Sequence, residues 1–162
     1  INTGQLVTGN MGSESRMNYT MMGDTVNLAA RLESSAKQYG IYIQIAESTY
    51  QAIQDKIVVR ALDFVQVMGK EEPVKVFELI SEIGKEPEPY KKILPAFHEG
   101  IELYFNQDWD KAKEAFKASN DLEEMFPGRK TNPSRVYIAR CEHFKVNPPG
   151  DNWDGVWVHT SK

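Results

Sequence analysis

The spacing of apolar and polar residues changes near the middle of the chain. In the first half, alternating stretches such as Ile41–Ile45, rich in β-branched and aromatic side chains, predict strands. After Asp24 or Thr25, either of which can cap a helix, apolar residues recur at helical spacing, and this pattern stops at Gly40. Strands that alternate with helices predict an α/β or α+β fold for this half.

The remaining elements of the first half follow from the same signals. Gly9–Ser13 is a glycine-rich cluster that predicts a turn between two strands, and Gly69–Pro73 predicts a second turn. A short helix is predicted near Ser48–Ile53. The four strands that flank these turns are predicted at Gln5–Gly9, Arg16–Met21, Phe64–Met68 and Val74–Leu79.

A linker is predicted at residues 85–89, where two prolines stand among charged residues. It divides the chain into a domain at residues 1–84 and a helical appendage at residues 90–162. The periodicity of the appendage predicts three amphipathic helices, which are Tyr90–Phe105, about Trp109–Met125, and a third that starts at Asn132 and carries Val136–Phe144.

The first two of these helices carry Gly100, Ala112 and Phe116, which are spaced by 12 and then 4 residues, as in a tetratricopeptide-type hairpin. Small residues at the first two positions let the helices approach, and the phenylalanine fills the gap between them. A single visible repeat favours one degenerate, TPR-like hairpin over a solenoid. The aromatic residues of the appendage are interpreted as its core, with a groove for a partner peptide as the alternative. The aromatic tail at Asp151–Trp157 either folds back over the helices or binds a partner.

Composition narrows the class of protein without identifying it. The 162 residues are 41% hydrophobic and 26% charged, with a net charge of −4, so the chain lacks the basic stripe that nucleic-acid binding requires. Its apolar runs are too short to cross a bilayer. The single cysteine, Cys141, is interpreted as a small buried residue, and its inability to form an internal disulfide fits a cytoplasmic location. Because the chain opens at Ile1 as though within a domain, we expect it to be part of a longer protein.

Candidate chemistry concentrates where a strand ends at Gly23 and a helix begins at once. The free N–H groups and the positive dipole end of that helix face whatever lies beyond the strand. Asn27 and Arg31 are four residues apart on one helix face, and an amide beside a guanidinium suits an anionic, oxygen-rich ligand. On spacing alone, a merely solvated helix face is the more common explanation.

A longer sequence pattern around Asn27 and Arg31 favours a ligand-binding role for them over a solvated helix face. Gly4–Gly12, followed by Tyr19–Glu33 with its core Gly-x-Thr-Val-Asn-x-Ala-x-Arg-Leu-Glu, closely resembles the second half of the class III nucleotide cyclase catalytic domain. The resemblance implies an α+β, ferredoxin-like half-domain that cyclises a nucleoside triphosphate and releases pyrophosphate. It implies that Asn27 orients the ribose and that Arg31 stabilises charge on the transferring phosphoryl group.

The resemblance also assigns nucleotide-binding positions. Thr20, three residues before Gly23, is the base-selecting position, and threonine there is similar to the subclass that includes bicarbonate-responsive adenylyl cyclases, which favours ATP over GTP. Gly23 belongs to the same nucleotide-binding segment. Lys70 matches a lysine that contacts the triphosphate, and because the hairpin is one residue longer than in some relatives, Lys75 is the alternative. For either lysine taken alone, a solvated turn residue is the ordinary interpretation.

Metal binding is expected from residues outside this chain. In the resembled family, two aspartates that bind Mg²⁺ or Mn²⁺, and a lysine that reads adenine, belong to the first half of the domain, upstream of Ile1. His98, His143 and His159 are isolated, and no His, Cys and carboxylate cluster has metal-ligand spacing. The chain alone is therefore expected to be inactive.

The resemblance implies a partner as well as a reaction. Catalytic domains of the family dimerise head to tail, so we expect either a homodimer or pairing with the N-terminal half of the same domain, which would also cover open strand edges. The predicted function is that of a bacterial-type adenylyl cyclase forming cyclic AMP from ATP in signal transduction. The alternatives are a guanylyl cyclase and a non-catalytic interaction module.

Overall fold

The computed structural model describes residues 1–65, 73–150 and 152–157. The strands in these ranges are β1 (Val7–Ser13), β2 (Arg16–Met22), β3 (Gln44–Ala46), β4 (Ile57–Val65) and β5 (Val74–Glu82). The helices are α1 (Asp24–Tyr39), α2 (Glu47–Ile53), α3 (Tyr90–Phe105), α4 (Trp109–Asn120) and α5 (Pro133–Val146). Within the described residues, every helix is too short or too polar to cross a membrane.

β1 and β2 pair along their full length as an antiparallel hairpin. The predicted turn at Gly9–Ser13 is therefore wrong, since β1 continues through these residues and the chain reverses at residues 14–15. Glycine is required at position 12, where φ is 144° and a Cβ atom would lie 2.0 Å from the carbonyl oxygen of Arg16. The glycine at position 12, which is typical of a turn, here allows two paired strands to approach closely.

The hairpin leaves a row of apolar side chains in solvent. More than half of the surface of five of them is exposed, namely Val7, Met17, Tyr19, Met21 and Met22. A two-stranded hairpin is at best marginally stable alone in water, and apolar patches of this kind mark interaction surfaces. This geometry fits the expectation that further strands or a partner cover the hairpin.

β3, β5 and β4 form a second antiparallel sheet with β5 at its centre. β3 begins three residues later than predicted, because the N–H of Ile41 donates to the carbonyl of Ala36 and belongs to the cap of α1. β4 begins at Ile57, well before the predicted Phe64. The rest of that predicted strand and most of the following turn, at residues 66–72, lie outside the described residues.

α1 packs on this sheet through the apolar positions that its sequence spacing predicts. Leu28, Leu32 and Ala36 recur every four residues and are buried against Leu62 of β4 and Val76 of β5. Each fully buried leucine contributes roughly 1.5–3 kcal/mol relative to an exposed one. The first half is thus an α+β structure in which the sheet holds α1 along its buried face.

The helices of the second half follow the predicted pattern with one correction. α3 and the start of α5 match the prediction, whereas α4 ends at Asn120 and not near Met125. Gly100 faces Phe116 so closely that a Cβ atom would lie 2.7 Å from the phenylalanine ring. Ala112 and Phe116 are completely buried in the same cluster, so the three spaced residues do meet between α3 and α4.

The two halves share a buried ionic cluster. Arg60 of β4 donates to Glu78 of β5, with Nε 2.8 Å from Oε2, and to Glu123, with Nη1 3.0 Å from Oε2. The Ser134 hydroxyl of α5 also donates to Glu123. Burial raises the pKa of Glu78, aided by Glu123 and opposed by Arg60. The division of the chain at residues 85–89 stays a prediction. Arg60, before these residues, and Glu123, after them, compensate each other's charge.

Cys141 and the aromatic tail complete the helical core. The Cys141 side chain is fully buried, and burial raises its thiol pKa to about 12, so it acts as a small packing residue as predicted. Trp153 packs against Tyr104, Trp109 and Phe144 with ring centroids 5.1–5.7 Å apart. Residues 152–157 thus fold back over the helices.

We expect His98 to make stability depend on pH. Burial, and secondarily Arg60, lowers its pKa below 6.5, because its half-buried imidazole is costly to charge. Between the lowered pKa and 6.5 the unfolded chain binds more protons than the folded one, so stability falls as pH drops through this interval. Calorimetric melting midpoints from about pH 7.5 to about pH 5 should fall less steeply for His98→Gln than for the wild type. His143→Gln, at an exposed position, is the control, and equal slopes for all three proteins would contradict the assignment.

Candidate functional site

The candidate site begins at the junction between β2 and α1. Gly23 is the N-cap residue of α1, with φ 142° and ψ 159°, so the predicted caps Asp24 and Thr25 are instead the first helical residues. Its carbonyl accepts from the N–H groups of Val26 and Asn27 at 3.0 and 3.2 Å. The N–H groups of the first helical residues lie beyond the reach of helical carbonyls and point toward the end of β2. Only glycine adopts this backbone conformation without strain, and it allows the helix to start directly after the strand.

Asn27 and Arg31 lie on α1 one helical turn apart, about 6 Å along the axis. Asn27 is exposed and Arg31 is half-buried, whereas Leu28 and Leu32, each the next residue along, face the sheet. Burial of the leucines therefore fixes which way the polar pair points. This arrangement can present an amide and a guanidinium to a ligand above the helix.

Arg31 also lines a cavity of about 720 Å³. Its walls come from the second half of α1, from the end of β4 with Asp63 and Phe64, and from the C-terminal segment with Asp154 and Trp157. The cavity is large enough for a ligand of nucleotide size. Sequence reasoning missed this cavity, because its walls lie more than 120 residues apart along the chain.

Thr20 and Gly23 stand before the helix, and the structure separates them from Arg31. Thr20 lies on β2 opposite Gly9 and is exposed, about 10 Å of strand before Gly23. Lys70 lies outside the described residues. The ammonium of Lys75, the alternative lysine, lies over the rings of Phe64 and Phe77, 5.9 and 5.5 Å from their centroids.

A cluster of buried polar side chains, which the sequence analysis did not predict, forms a node that holds the C-terminal end of α1. Tyr39, the last residue of α1, donates its hydroxyl proton to Oδ2 of Asp63 at 2.6 Å. Arg140 of α5 donates to the same oxygen at 2.6 Å and to the Tyr39 hydroxyl at 3.3 Å. Burial, and then the charge of Asp63, raises the pKa of Tyr39, so its phenol keeps the proton that it donates. Tyr39, Asp63 and Arg140 are 24 to 101 residues apart, and only the fold brings them together.

Comparison with known proteins identifies the first half. Residues 1–81, half of the chain, match the family described as the adenylate and guanylate cyclase catalytic domain. The chain belongs to this family. The matched residues include β1, β2 and α1 with Asn27 and Arg31.

Two curated relatives and one solved structure illustrate the similarity. The terminal-differentiation-specific adenylate cyclase of Dictyostelium discoideum is 38% identical over 145 residues, which cover 87% of this chain and 7% of that protein. An adenylate cyclase of Anabaena cylindrica is 38% identical over 82 residues, which cover 49% of this chain and 16% of that protein. The adenylyl cyclase CyaB from P. aeruginosa is 33% identical, covers 51% of this chain and 41% of that chain, and has a TM-score of 0.41.

The similarity to the Dictyostelium protein covers more of this chain than the family match does. The chain spans 7% and 16% of the lengths of the two curated relatives. The match to the Dictyostelium protein runs over 145 residues, far beyond the 81 residues of the family match. The similarity to that protein therefore includes much of the helical segment that carries α3, α4 and α5.

Proposed function

We propose that residues 1–84 are the C-terminal part of the catalytic domain of an adenylyl cyclase, which converts ATP to cyclic AMP and pyrophosphate in signal transduction, and that residues 90–162 are a helical appendage to it. One observation carries the proposal. Asn27 and Arg31 stand one turn apart on the accessible side of α1, directly after Gly23, within the residues that match the cyclase family. Arg31 of this pair also lines the cavity of about 720 Å³ described above, which is large enough for a ligand of nucleotide size.

The residues of this chain then have separable roles in the reaction. The 3′ oxygen of the ribose forms a bond to the α-phosphorus, and its hydroxyl proton passes to solvent or a base. The bond from that phosphorus to the bridging oxygen breaks, and pyrophosphate leaves. Negative charge shifts onto the phosphoryl oxygens, where the planar guanidinium of Arg31 can donate two parallel hydrogen bonds. Asn27 offers the ribose both a donor and an acceptor, which orients the attacking hydroxyl.

Thr20 supports ATP as the substrate. Its hydroxyl can accept a hydrogen bond from the adenine amino group, and threonine at this position is similar to the subclass that includes bicarbonate-responsive adenylyl cyclases. We assign Thr20 to base selection and Gly23 to the nucleotide-binding turn, with Lys70 on the triphosphate. Sensitivity to bicarbonate belongs to the same proposal, and the rate as a function of bicarbonate at constant pH tests it.

The described part of this chain, residues 1–65, 73–150 and 152–157, does not fit a metal centre. Among the residues that the structure describes, no group of three His, Cys, Asp or Glu side chains could hold a metal ion. Catalytic domains of this family generally use divalent ions, and we propose that residues upstream of Ile1 bind the Mg²⁺ or Mn²⁺. The chain alone is then inactive.

The exposed apolar hairpin supports a partner for this half-domain. We propose that either the N-terminal half of the domain or a second copy of the protein, as in a head-to-tail dimer, covers β1 and β2. The close contact of Gly100 with Phe116 supports a degenerate tetratricopeptide-type hairpin in the helical segment.

The experiment that tests the function uses the chain extended upstream to complete the catalytic domain. Cyclic nucleotide formation is measured with Mg²⁺ or Mn²⁺ on ATP and on GTP separately, for the wild type and for Asn27→Ala. We expect cyclic AMP from the wild type and about a 10²-fold lower rate for Asn27→Ala, because the attacking hydroxyl loses its orientation. Lys37→Ala, on the exposed last turn of α1, is the matched control.

The outcomes separate the candidate functions. Formation of cyclic GMP in place of cyclic AMP would overturn the assignment of Thr20 while leaving the reaction intact. Absence of product from both nucleotides, in a folded dimer, would contradict the enzyme assignment and favour a non-catalytic interaction module.

A further inference from the structure

α1 is held at two ends by different parts of the chain. Its first half follows Gly23 and carries Asn27 and Arg31, and its last residue is Tyr39. Arg31 and Tyr39 are eight positions apart on α1, which is about two turns of continuous helix and roughly 12 Å along its axis. A helix this short moves as a rigid body, so a displacement at Tyr39 carries Arg31 with it.

The anchor at the Tyr39 end comes largely from the helical segment. Arg140 of α5 is 3% exposed and joins Tyr39 and Asp63, as described above. Its guanidinium carbon also lies over the rings of Tyr137 and Trp157, 4.9 and 5.0 Å from their centroids. A guanidinium fixed by a carboxylate and two aromatic rings has little freedom, so the node is a stiff support.

Two further contacts join the helical segment to the end of α1 and to β4. Gly40 caps α1 in the left-handed conformation, with φ 69°, and a Cβ atom there would lie 1.9 Å from the carbonyl oxygen of Thr131. The Tyr137 hydroxyl donates to the backbone carbonyl of Leu62, next to Asp63. The helical segment therefore contacts both α1 and the strand on which α1 rests.

We propose that the helical segment is part of the catalytic unit, and that Arg140, through Asp63 and Tyr39, is a positioning residue that sets the place of α1 and hence of Arg31. This inference rests on the proposed function only for its effect on turnover. The match to the Dictyostelium adenylate cyclase supports it independently, since that similarity extends through much of the segment. A regulatory appendage joined by a flexible linker would need neither the buried node nor the Gly40 contact.

The experiment combines Arg140→Ala with Arg31→Ala in the completed catalytic domain. We expect Arg140→Ala to lower kcat about tenfold or more with KM for the nucleotide changed less than about twofold, because a misplacement near 1 Å costs up to about 10²-fold in rate. In the Arg31→Ala background the same change should have less than about a twofold effect, since Arg140 acts through Arg31. A merely structural role would lower kcat by the same factor in both backgrounds, and that result would overturn the proposal.

Two variants keep the test interpretable. Tyr39→Phe retains the buried ring and removes only the hydroxyl, so it takes the place of Arg140→Ala if that variant fails to fold. We expect it to lower kcat by a smaller factor, with the same dependence on Arg31. Lys145 lies on the same helix as Arg140 and forms an exposed ion pair with Asp110 of α4. Lys145→Ala breaks this pair and should leave kcat unchanged.

Hydrogen exchange separates this inference from the proposed function. In Arg140→Ala, backbone amides of α1 should exchange about tenfold faster or more, while those of α4 exchange as in the wild type. Unchanged exchange in α1 would overturn the anchoring whatever the activity. A wild-type protein that forms no cyclic nucleotide would overturn the function, and exchange in α1 would still decide the anchoring.

Discussion

We expect replacement of Arg31 with alanine to lower cyclic AMP formation by the completed catalytic domain by about 10²- to 10³-fold. In the proposed reaction Arg31 stabilises charge that develops only in the transition state, and removing a single donor of this kind costs this much in other enzymes. Because the ground-state triphosphate keeps its other contacts, the decrease should appear mainly in kcat and less in KM. Steady-state rates at varied ATP measure both constants.

Two further variants test whether the loss is specific to the guanidinium of Arg31. Arg31→Lys keeps the charge and loses the planar fork, so we expect an intermediate rate. Lys37→Ala removes a cation from the same helix at an exposed position and should leave the rate within about twofold, because distant exposed charges are screened. An Arg31→Ala enzyme with wild-type kcat would exclude Arg31 from the reaction and leave only the solvated-face interpretation.

Breaking the buried cluster at Arg60 has the largest expected effect on stability. The Arg60 side chain is 0% exposed, and its partners Glu78 and Glu123 are 2% and 3% exposed. Arg60→Met strands two carboxylates in the interior and should lower the free energy of unfolding by about 3–5 kcal/mol. For a chain of this size the melting midpoint then falls by roughly 6–20 °C, which calorimetry measures directly.

The matched comparison replaces the whole cluster. Arg60→Met combined with Glu78→Leu and Glu123→Leu removes every stranded charge, so most of the lost stability should return. Lys85→Met breaks the pair with Glu82, in which both side chains are about two-thirds exposed, and should cost less than about 0.5 kcal/mol. A single Arg60→Met variant that melts with the wild type would mean that water reaches the cluster in solution.

Local periodicity was sufficient for the helices. α1 and α3 have long apolar stripes, Gly40 ends α1, and Asn132 caps the start of α5. The bounds of these three helices agree with the prediction within two residues. α4 ends five residues early, because the chain leaves the helix after Asn120 to reach the first half. There Phe126 stacks on Tyr42, with ring centroids 4.5 Å apart.

Strands were predicted less well, and for a physical reason in each case. Gly9 and Gly12 of β1 are typical of a turn, yet both lie in a strand, and Gly12 allows its close approach to β2. The start of β4 was missed because Arg60 and Asp63 interrupt its apolar pattern. Both charges are buried with partners that are distant along the chain, since Glu123 pairs with Arg60 from 63 residues away and Arg140 pairs with Asp63 from 77 residues away.

The sequence by itself determined the family and the candidate chemistry, because both reside in one continuous segment. The pattern from Gly23 to Glu33 contains the helix start, Asn27 and Arg31, and none of these needs a distant partner to be recognised. The tertiary structure alone decided what supports that segment. The node of Tyr39, Asp63 and Arg140 joins α1, β4 and α5, and charges so far apart along the chain pair only after the chain has folded.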